Sequence, residues 1–392
     1  LDRLLPDAFA YYPNLVSAEG PTVVGSFNAI DSTGTQVFGG YFRWTDELGT
    51  TTLGEPDDTG SGGPSFMSHD GRVVAGIAKV RVELDLSDVY FLWTESDGFH
   101  ALADELTWPE SGIITGLSAD GTLVVGYTIG DVSAAFRWSA DDGAEMLGTL
   151  PDTTSCSADR ITADGDTIFG SCQDAQQKPV AFRWRAGEGM LALSSDASPC
   201  VMRSVQASSA DGDTALGHAT CAGPETRLAR WSETAGVTEM AQPTGTGAPI
   251  SLNLISSGRV AFGILQPEGM VYTNDGHNGT RAFRWSEADA ASALEPLVGH
   301  RFSSAYASDR AADVLVGRSG IDNGVASKAM LWDEEGSLDI SAYVTSQGTN
   351  LQGVELQSAE RVAVQGDTLL IQGVANAEMR SGVWFARIPA QR

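Results

Sequence analysis

The sequence predicts an all-β fold, a β-propeller of eight four-stranded blades, and three observations carry that expectation. A glycine closes a short apolar run at Gly25, Gly76, Gly126, Gly170, Gly217, Gly263, Gly317 and Gly373. A turn precedes that run as Asp70-Gly71, Asp120-Gly121, Asp164-Gly165 and Asp211-Gly212, with Glu19-Gly20, Ser257-Gly258 and Gln365-Gly366 as variants. An aromatic segment follows it, ending at Trp44, Trp93, Trp138, Trp184, Trp231, Trp285 and Trp332. Self-similarity at about 45 to 55 residues, with four short strands per period, is the pattern of a propeller blade.

The copy at 118–150 shows each element. Asp120-Gly121 reads as a two-residue hairpin turn, because glycine takes positive φ without steric cost. Leu123 to Gly126 is a short apolar strand, and Phe136 and Trp138, two apart, share one face of the next strand. Glu145 to Gly148 supplies a last short strand. The four strands are termed a (before the turn), b (ending in the glycine), c (Phe-Arg-Trp) and d. The seventh copy replaces the turn with Arg310-Ala311-Ala312, and Trp384 is an approximate eighth aromatic; Trp108 alone lies outside the pattern. Seven blades with an irregular end is therefore the alternative count.

The ends of the chain bear on closure. The last copy stops after its c strand, while Leu1 to Pro6 resembles the d strand and exit at 146–151. The N-terminal segment is expected to complete the last blade, removing an exposed sheet edge. No composition shift or linker divides the 392 residues, so a single propeller domain over 1–392 is expected. The chain begins at Leu1, without a visible signal peptide, as a processed N-terminus would. No apolar run approaches a membrane span. The net charge of −27 opposes nucleic acid and anionic membranes as partners.

The four cysteines flank two turns. Cys156 and Cys172 lie around Asp164-Gly165, and Cys200 and Cys221 around Asp211-Gly212. Each pair would meet across the open end of an a–b hairpin, so two local disulfides and an oxidising compartment are expected.

The copies Ser-Ala-Asp-Gly-x-x-Val-Val-Gly, Ala-Phe-Arg-Trp and Leu-Gly-x-Leu, best kept at 118–150, 162–184, 209–231 and 282–285, resemble the bacterial extracellular HAF repeats. The resemblance covers nearly the whole chain. It implies a secreted or surface-exposed protein and names no reaction.

The repeated residues are expected to be structural. Phe136, Trp138 and their counterparts should wedge between blades, and the arginine between them should pair with a repeated carboxylate such as Asp120. Recognition needs a surface that does not repeat, which assigns it to the b–c and d–a loops at one end of each blade. Candidate ligand contacts there are Trp108, Asp275, His277 and His300. Asn274, Asp275 and Asn278 form an oxygen-rich loop suited to calcium but without the EF-hand spacing, and Glu83, Asp85 and Asp88 are a second acidic group. No motif present requires a cofactor, and no phosphate loop, nucleophile elbow or zinc-protease motif occurs.

Two functions compete. One is a secreted or cell-surface binding or scaffold module for protein or glycan, with no membrane insertion. The other is an extracellular polysaccharide hydrolase or lyase with its site at the central channel mouth. The absence of a recognisable catalytic constellation favours the binding module.

Overall fold

The computed structural model describes residues 8–18, 22–30, 32–54, 59–82, 85–102, 112–195, 198–221, 226–241, 246–254, 258–267, 279–287, 291–309, 313–321, 327–377 and 380–390. The chain divides into two compact units, Leu1–Leu193 and Ser194–Arg392, the boundary falling between the fourth and fifth copies of the repeat.

In the first unit, blade 1 comprises β1 (Ala8–Val16), β2 (Val23–Ile30), β3 (Gln36–Thr45) and β4 (Gly49–Thr52). Blade 2 comprises β5 (Thr59–Met67), β6 (Val73–Val82), β7 (Asp85–Thr94) and β8 (Gly98–Ala101). Blade 3 has β9 (Gly112–Leu117), β10 (Val124–Thr128), β11 (Ala135–Ser139) and β12 (Gly143–Met146). Blade 4 has β13 (Thr153–Ile161), β14 (Thr167–Asp174), β15 (Pro179–Arg185) and β16 (Gly189–Ala192).

In the second unit a two-residue strand, β17 (Ser194–Ser195), precedes the a strand of blade 5 and pairs with it. Blade 5 continues with β18 (Ser198–Ser208), β19 (Thr214–Thr220), β20 (Thr226–Ser232) and β21 (Gly236–Glu239). Blade 6 comprises β22 (Thr246–Leu254), β23 (Val260–Pro267), β24 (Arg281–Ser286) and β25 (Ser292–Leu294). Blade 7 comprises β26 (Phe302–Ser308), β27 (Leu315–Gly320), β28 (Ser327–Asp333) and β29 (Gly336–Asp339). Helix α1 (Ile340–Ser346) follows, then β30 (Glu355–Gln365), β31 (Thr368–Ala377) and β32 (Arg380–Pro389) of blade 8.

Within each sheet, strands consecutive in sequence pair antiparallel. Eight such meanders make the fold an eight-bladed β-propeller, which excludes the seven-blade count. Blade 8 shows three strands among the described residues. Residues 1–7, on which its expected fourth strand falls, lie outside them.

The c strand works as the sequence suggests. Phe136 and Trp138 pack with Ala75 and Leu102 of the preceding blade, and Phe182 and Trp184 with Val125 and Leu147. In the second unit Met330 and Trp332 pack with Val260 and Phe262. Phe136 is wholly buried, which removes enough apolar surface to stabilise each such site by ~2–3 kcal/mol. The intervening arginine points to the following blade: Arg43 lies 5.6 Å over the Trp93 ring and Arg137 4.9 Å over Trp184.

Three expectations need correcting. The arginines pair with glutamates, not with the turn aspartates: Arg43 with Glu95, Arg137 with Glu145, Arg183 with Glu188 and Arg230 with Glu287. The Asp-Gly turn is a four-residue loop, in which Gly121 N–H donates to Ser118 C=O and Ser118 N–H to Leu123 C=O. Gly121 takes the positive φ of 78° that closes it. Among the described a–b turns, only that of blade 8, between Gln365 and Thr368, is a two-residue loop. Trp384 faces Gly373, the position held by Phe136 opposite Gly126, so it replaces the phenylalanine of the repeat rather than its tryptophan.

Helix α1 was not foreseen. Asp339 caps it by accepting from the Ala342 N–H, and Gly348 ends the turn beyond it at φ 90°. Its one buried residue, Ile340, joins the core of blades 7 and 8.

Candidate functional site

The two ends of a blade are built for different work. At the a–b end a hydroxyl organises every well-kept turn. Ser118 Oγ donates to Asp120 Oδ1 (2.6 Å) and accepts from the Leu123 N–H (3.0 Å). Ser68, Thr162 and Ser209 repeat this with Asp70, Asp164 and Asp211. Burial works to raise the Asp120 carboxyl, but hydrogen bonds from Ser118, Thr122 and the local backbone outweigh it and hold the group below its usual range. In the first unit these turns also join blade to blade: His69 N–H donates to Ala119 C=O and Ala119 N–H to Ala163 C=O. Their hydrogen-bonding groups are therefore spent on the fold.

The b–c/d–a end exposes aliphatic side chains on its loops, as the other end does at Leu48 and Val364. In the first unit Ile129 and Val132, in the b–c connection of blade 3, are 61% and 59% exposed. In the second, Val298 is fully exposed in the d–a connection before blade 7, and Ile321 is 41% exposed at the end of β27. Neither loop is loosely held. Ser133 C=O accepts from the Cys156 N–H at 2.8 Å, and Leu297 and Arg301 N–H groups donate to Ser319 Oγ and Gly320 C=O.

Both disulfides lie at this end, Cys156–Cys172 and Cys200–Cys221. Cys156 stands directly opposite Cys172 across β13 and β14, and Cys200 precedes the Val201–Thr220 pair by one residue. The flanking-turn reading of the sequence is thus correct for both.

Of the expected contacts, Trp108, Asn274, Asp275, His277 and Asn278 lie outside the described residues. His300 is half-buried in the d–a connection before blade 7, with Nδ1 2.9 Å from Ser319 Oγ. Ser319 Oγ also accepts from Leu297 N–H, so the hydroxyl is held from both sides. Ser319 is wholly buried. The pair therefore ties a loop to β27 and presents no nucleophile to a substrate. Asp88 is bound to Lys79 Nζ at 2.5 Å, which takes it away from the proposed acidic group; Glu83 is outside the described residues. Among the described residues no three His, Cys, Asp or Glu side chains gather as a metal site would need.

A second set of candidates escaped the sequence reading. Beside the repeated glycine, the a strand carries a β-bulge in every blade but the sixth. The residue left without a cross-strand partner is Asn14, Ser65, Thr115 or Asp159 in the first unit and Gln206, Tyr306 or Glu360 in the second. All are polar. In blades 4, 5, 7 and 8 a serine stands two residues earlier: Ser157, Ser204, Ser304 and Ser358. Ser157 Oγ donates to Asp159 and Ser358 Oγ to Glu360. Bulges often re-aim a side chain next to a functional site.

Two of these positions have a titratable neighbour on the b strand. His218 sits within 3.4 Å of Ser204 Oγ, and burial pushes its imidazole below the usual range. Arg318 is paired across the sheet with Ser304 and lies over the rings of Phe302 (5.5 Å) and Tyr306 (5.9 Å). Burial raises the Tyr306 phenol, Arg318 opposes that, and Glu360 on blade 8 adds to it.

No protein-family model matches this sequence, and no functionally curated protein matches it. Solved structures do. A prolyl endopeptidase from a study of two such enzymes is 9% identical over 95% of this chain and 55% of its own, with a TM-score of 0.54. Prolyl oligopeptidase B from Galerina marginata is 10% identical over 95% and 56%, with a TM-score of 0.51. The β-propeller domain of the Trilobed protease from Pyrococcus furiosus is 8% identical over 86% and 95%, with a TM-score of 0.45. The chain spans little more than half the length of the first two. Identities this low speak to fold alone.

Proposed function

We propose that this chain is a non-enzymatic propeller module that binds a partner protein through the b–c/d–a ends of its blades, in the periplasm or outside the cell. One observation carries the reading: the well-kept a–b turns spend their polar groups on the fold, while the b–c/d–a loops of blades 3 and 7 each bring two exposed aliphatic residues onto anchored backbone. Ile129, Val132, Val298 and Ile321 offer methyl groups rather than aromatic faces, which suits a protein surface better than a sugar ring. The two disulfides support an oxidising compartment, as does the resemblance to HAF repeats. The buried Ser319 beside His300 gives the hydrolase reading no nucleophile at that place.

A photo-crosslinking residue at Val132, at Val298, or at the exposed Thr122 of an a–b turn tests this, in whole cells of the native host. The expected result is one partner captured at Val132 or Val298, identified by mass, and bound again when purified. Capture only at Thr122 would place recognition on the wrong end. Turnover of a polysaccharide panel by the purified protein would overturn the non-enzymatic reading.

A further inference from the structure

Arginines in the interior of this fold come with carboxylates. Arg43, Arg183 and Arg230, buried or nearly so, reach Glu95, Glu188 and Glu287. Arg318 breaks the rule: its half-buried guanidinium has no carboxylate partner among the described residues, and its Nε is buried without an acceptor. Removing a guanidinium from water without a counter-charge is costly. The rings of Phe302 and Tyr306 offset only part of that cost.

The surroundings of Arg318 are just as unspent. Ser304, directly across the sheet, is wholly buried, and its hydroxyl makes no well-formed hydrogen bond although it approaches the Tyr306 phenol. The blade-7 bulge projects Tyr306, and the blade-8 bulge projects Glu360 beside it, β30 being packed on β26, β27 and β28. Ser358 Oγ donates to Glu360 Oε1 and fixes the carboxylate, leaving its other oxygen open to a donor. A cationic fork, a phenol and an oriented carboxylate therefore neighbour one another on adjacent blades, with Tyr306 between Arg318 and Glu360 in its interactions.

That set is bipolar, and its polarity names the ligand. The guanidinium fork matches a carboxylate. Glu360 would repel a second negative charge and accept hydroxyl protons instead, which disfavours a phosphate dianion. We propose that Arg318, Tyr306, Ser304 and Glu360 form a binding site for a hydroxylated carboxylate of the uronic-acid class, its carboxylate on Arg318 and its hydroxyls on Glu360. This site is separate from the loop ends assigned to a protein partner and stands independently of them.

Calorimetric titration of the intact protein with D-glucuronate, D-glucose and acetate tests the site, with a hyaluronan tetrasaccharide to separate a free acid from a chain-bound one. Glucuronate or the tetrasaccharide should saturate, while glucose and acetate, each lacking half the recognition chemistry, should bind at least roughly tenfold more weakly. Arg318→Gln should lower affinity at least roughly tenfold, and Glu360→Gln should lower it as well. Tyr306→Phe and Glu360→Gln keep the packing and decide the matter if Arg318→Gln does not fold. No binding of either uronate by the wild type, binding no tighter than that of glucose or acetate, or equal binding by the folded variants would overturn the proposal.

Discussion

A Cβ placed on Gly126 would lie 1.8 Å from the carbonyl oxygen of Ile113 on the neighbouring strand and 3.0 Å from the Phe136 ring. The repeated glycine is thus a contact requirement. A carbonyl of the a strand presses onto the b strand, and the first aromatic of the c strand covers the same spot. Gly170 meets Ser157 C=O and Phe182, and Gly373 meets Ser358 C=O and Trp384, in the same way. Gly126→Ala should therefore destabilise by about 3 kcal/mol or more, as overpacking against rigid backbone does. Chemical denaturation checks this; a loss within 0.5 kcal/mol, the ordinary scale of a tolerated surface change, would contradict the close approach of the a-strand carbonyl.

The disulfides give a direct test of register. Non-reduced peptide mapping should return Cys156–Cys172 and Cys200–Cys221 and no crossed pair. They close separations of 16 and 21 residues, so replacing one pair by serines should cost about 3 kcal/mol by the loop-entropy estimate.

What could be read from the sequence was whatever recurs. Gly126 and its counterparts mark the b strands, Phe136 and Trp138 the interblade face, and the cysteines meet because they flank a hairpin evenly. Features that occur once, or that break alternation, were not visible. The bulge at Thr115 or Tyr306 shifts the in/out pattern by one residue, so the polar row on the a strands looks like noise in a strand profile. Trp384 is only an approximate match to the aromatic repeat because it substitutes for a phenylalanine within an eroded copy. Asp339 and Gly348 did carry cap signals for α1, but a single seven-residue helix does not register against a β repeat. The c-strand arginines are expected to meet the turn aspartates because the sequence does not show that Ser118 already occupies Asp120.

That occupation predicts a cost. Ser118 Oγ serves Asp120 and the Leu123 N–H at once, so Ser118→Ala strands both. A loss of about 1–2 kcal/mol is expected, because a partly buried amide is left unpaired. Ser118→Thr, which keeps the hydroxyl as Thr162 does in blade 4, should restore most of it.

The same turns govern acid stability. Asp70 and Asp120 titrate below the ordinary 3.8: partial burial alone would raise them, and the hydrogen bonds from Ser68 and Ser118 reverse it. A carboxyl with a depressed folded value binds its proton more readily when unfolded. Its contribution is present above pH 3.8 and is lost as the pH falls through the lower folded value. Asp70→Asn and Asp120→Asn together should therefore flatten the fall in melting temperature below pH 3.8, which a thermal series in acid would show.

Asp159 should do the opposite. It sits on the blade-4 bulge, where burial raises its carboxyl above 3.8 and outweighs both the Ser157 hydrogen bond and the nearby Arg160 charge. Here the folded state holds the proton more tightly than the unfolded chain. Stability is then greatest below pH 3.8 and declines as the pH rises through the elevated folded value. Asp159→Asn keeps an acceptor for Ser157 Oγ and removes the buried charge, so it should raise the melting temperature at pH 7 and leave it nearly unchanged in acid. Measuring Asp120→Asn and Asp159→Asn across the same pH series makes the two signs each other's control. A pair of curves displaced in the same direction would show that burial at the a-strand bulge does not act on Asp159 as the geometry requires.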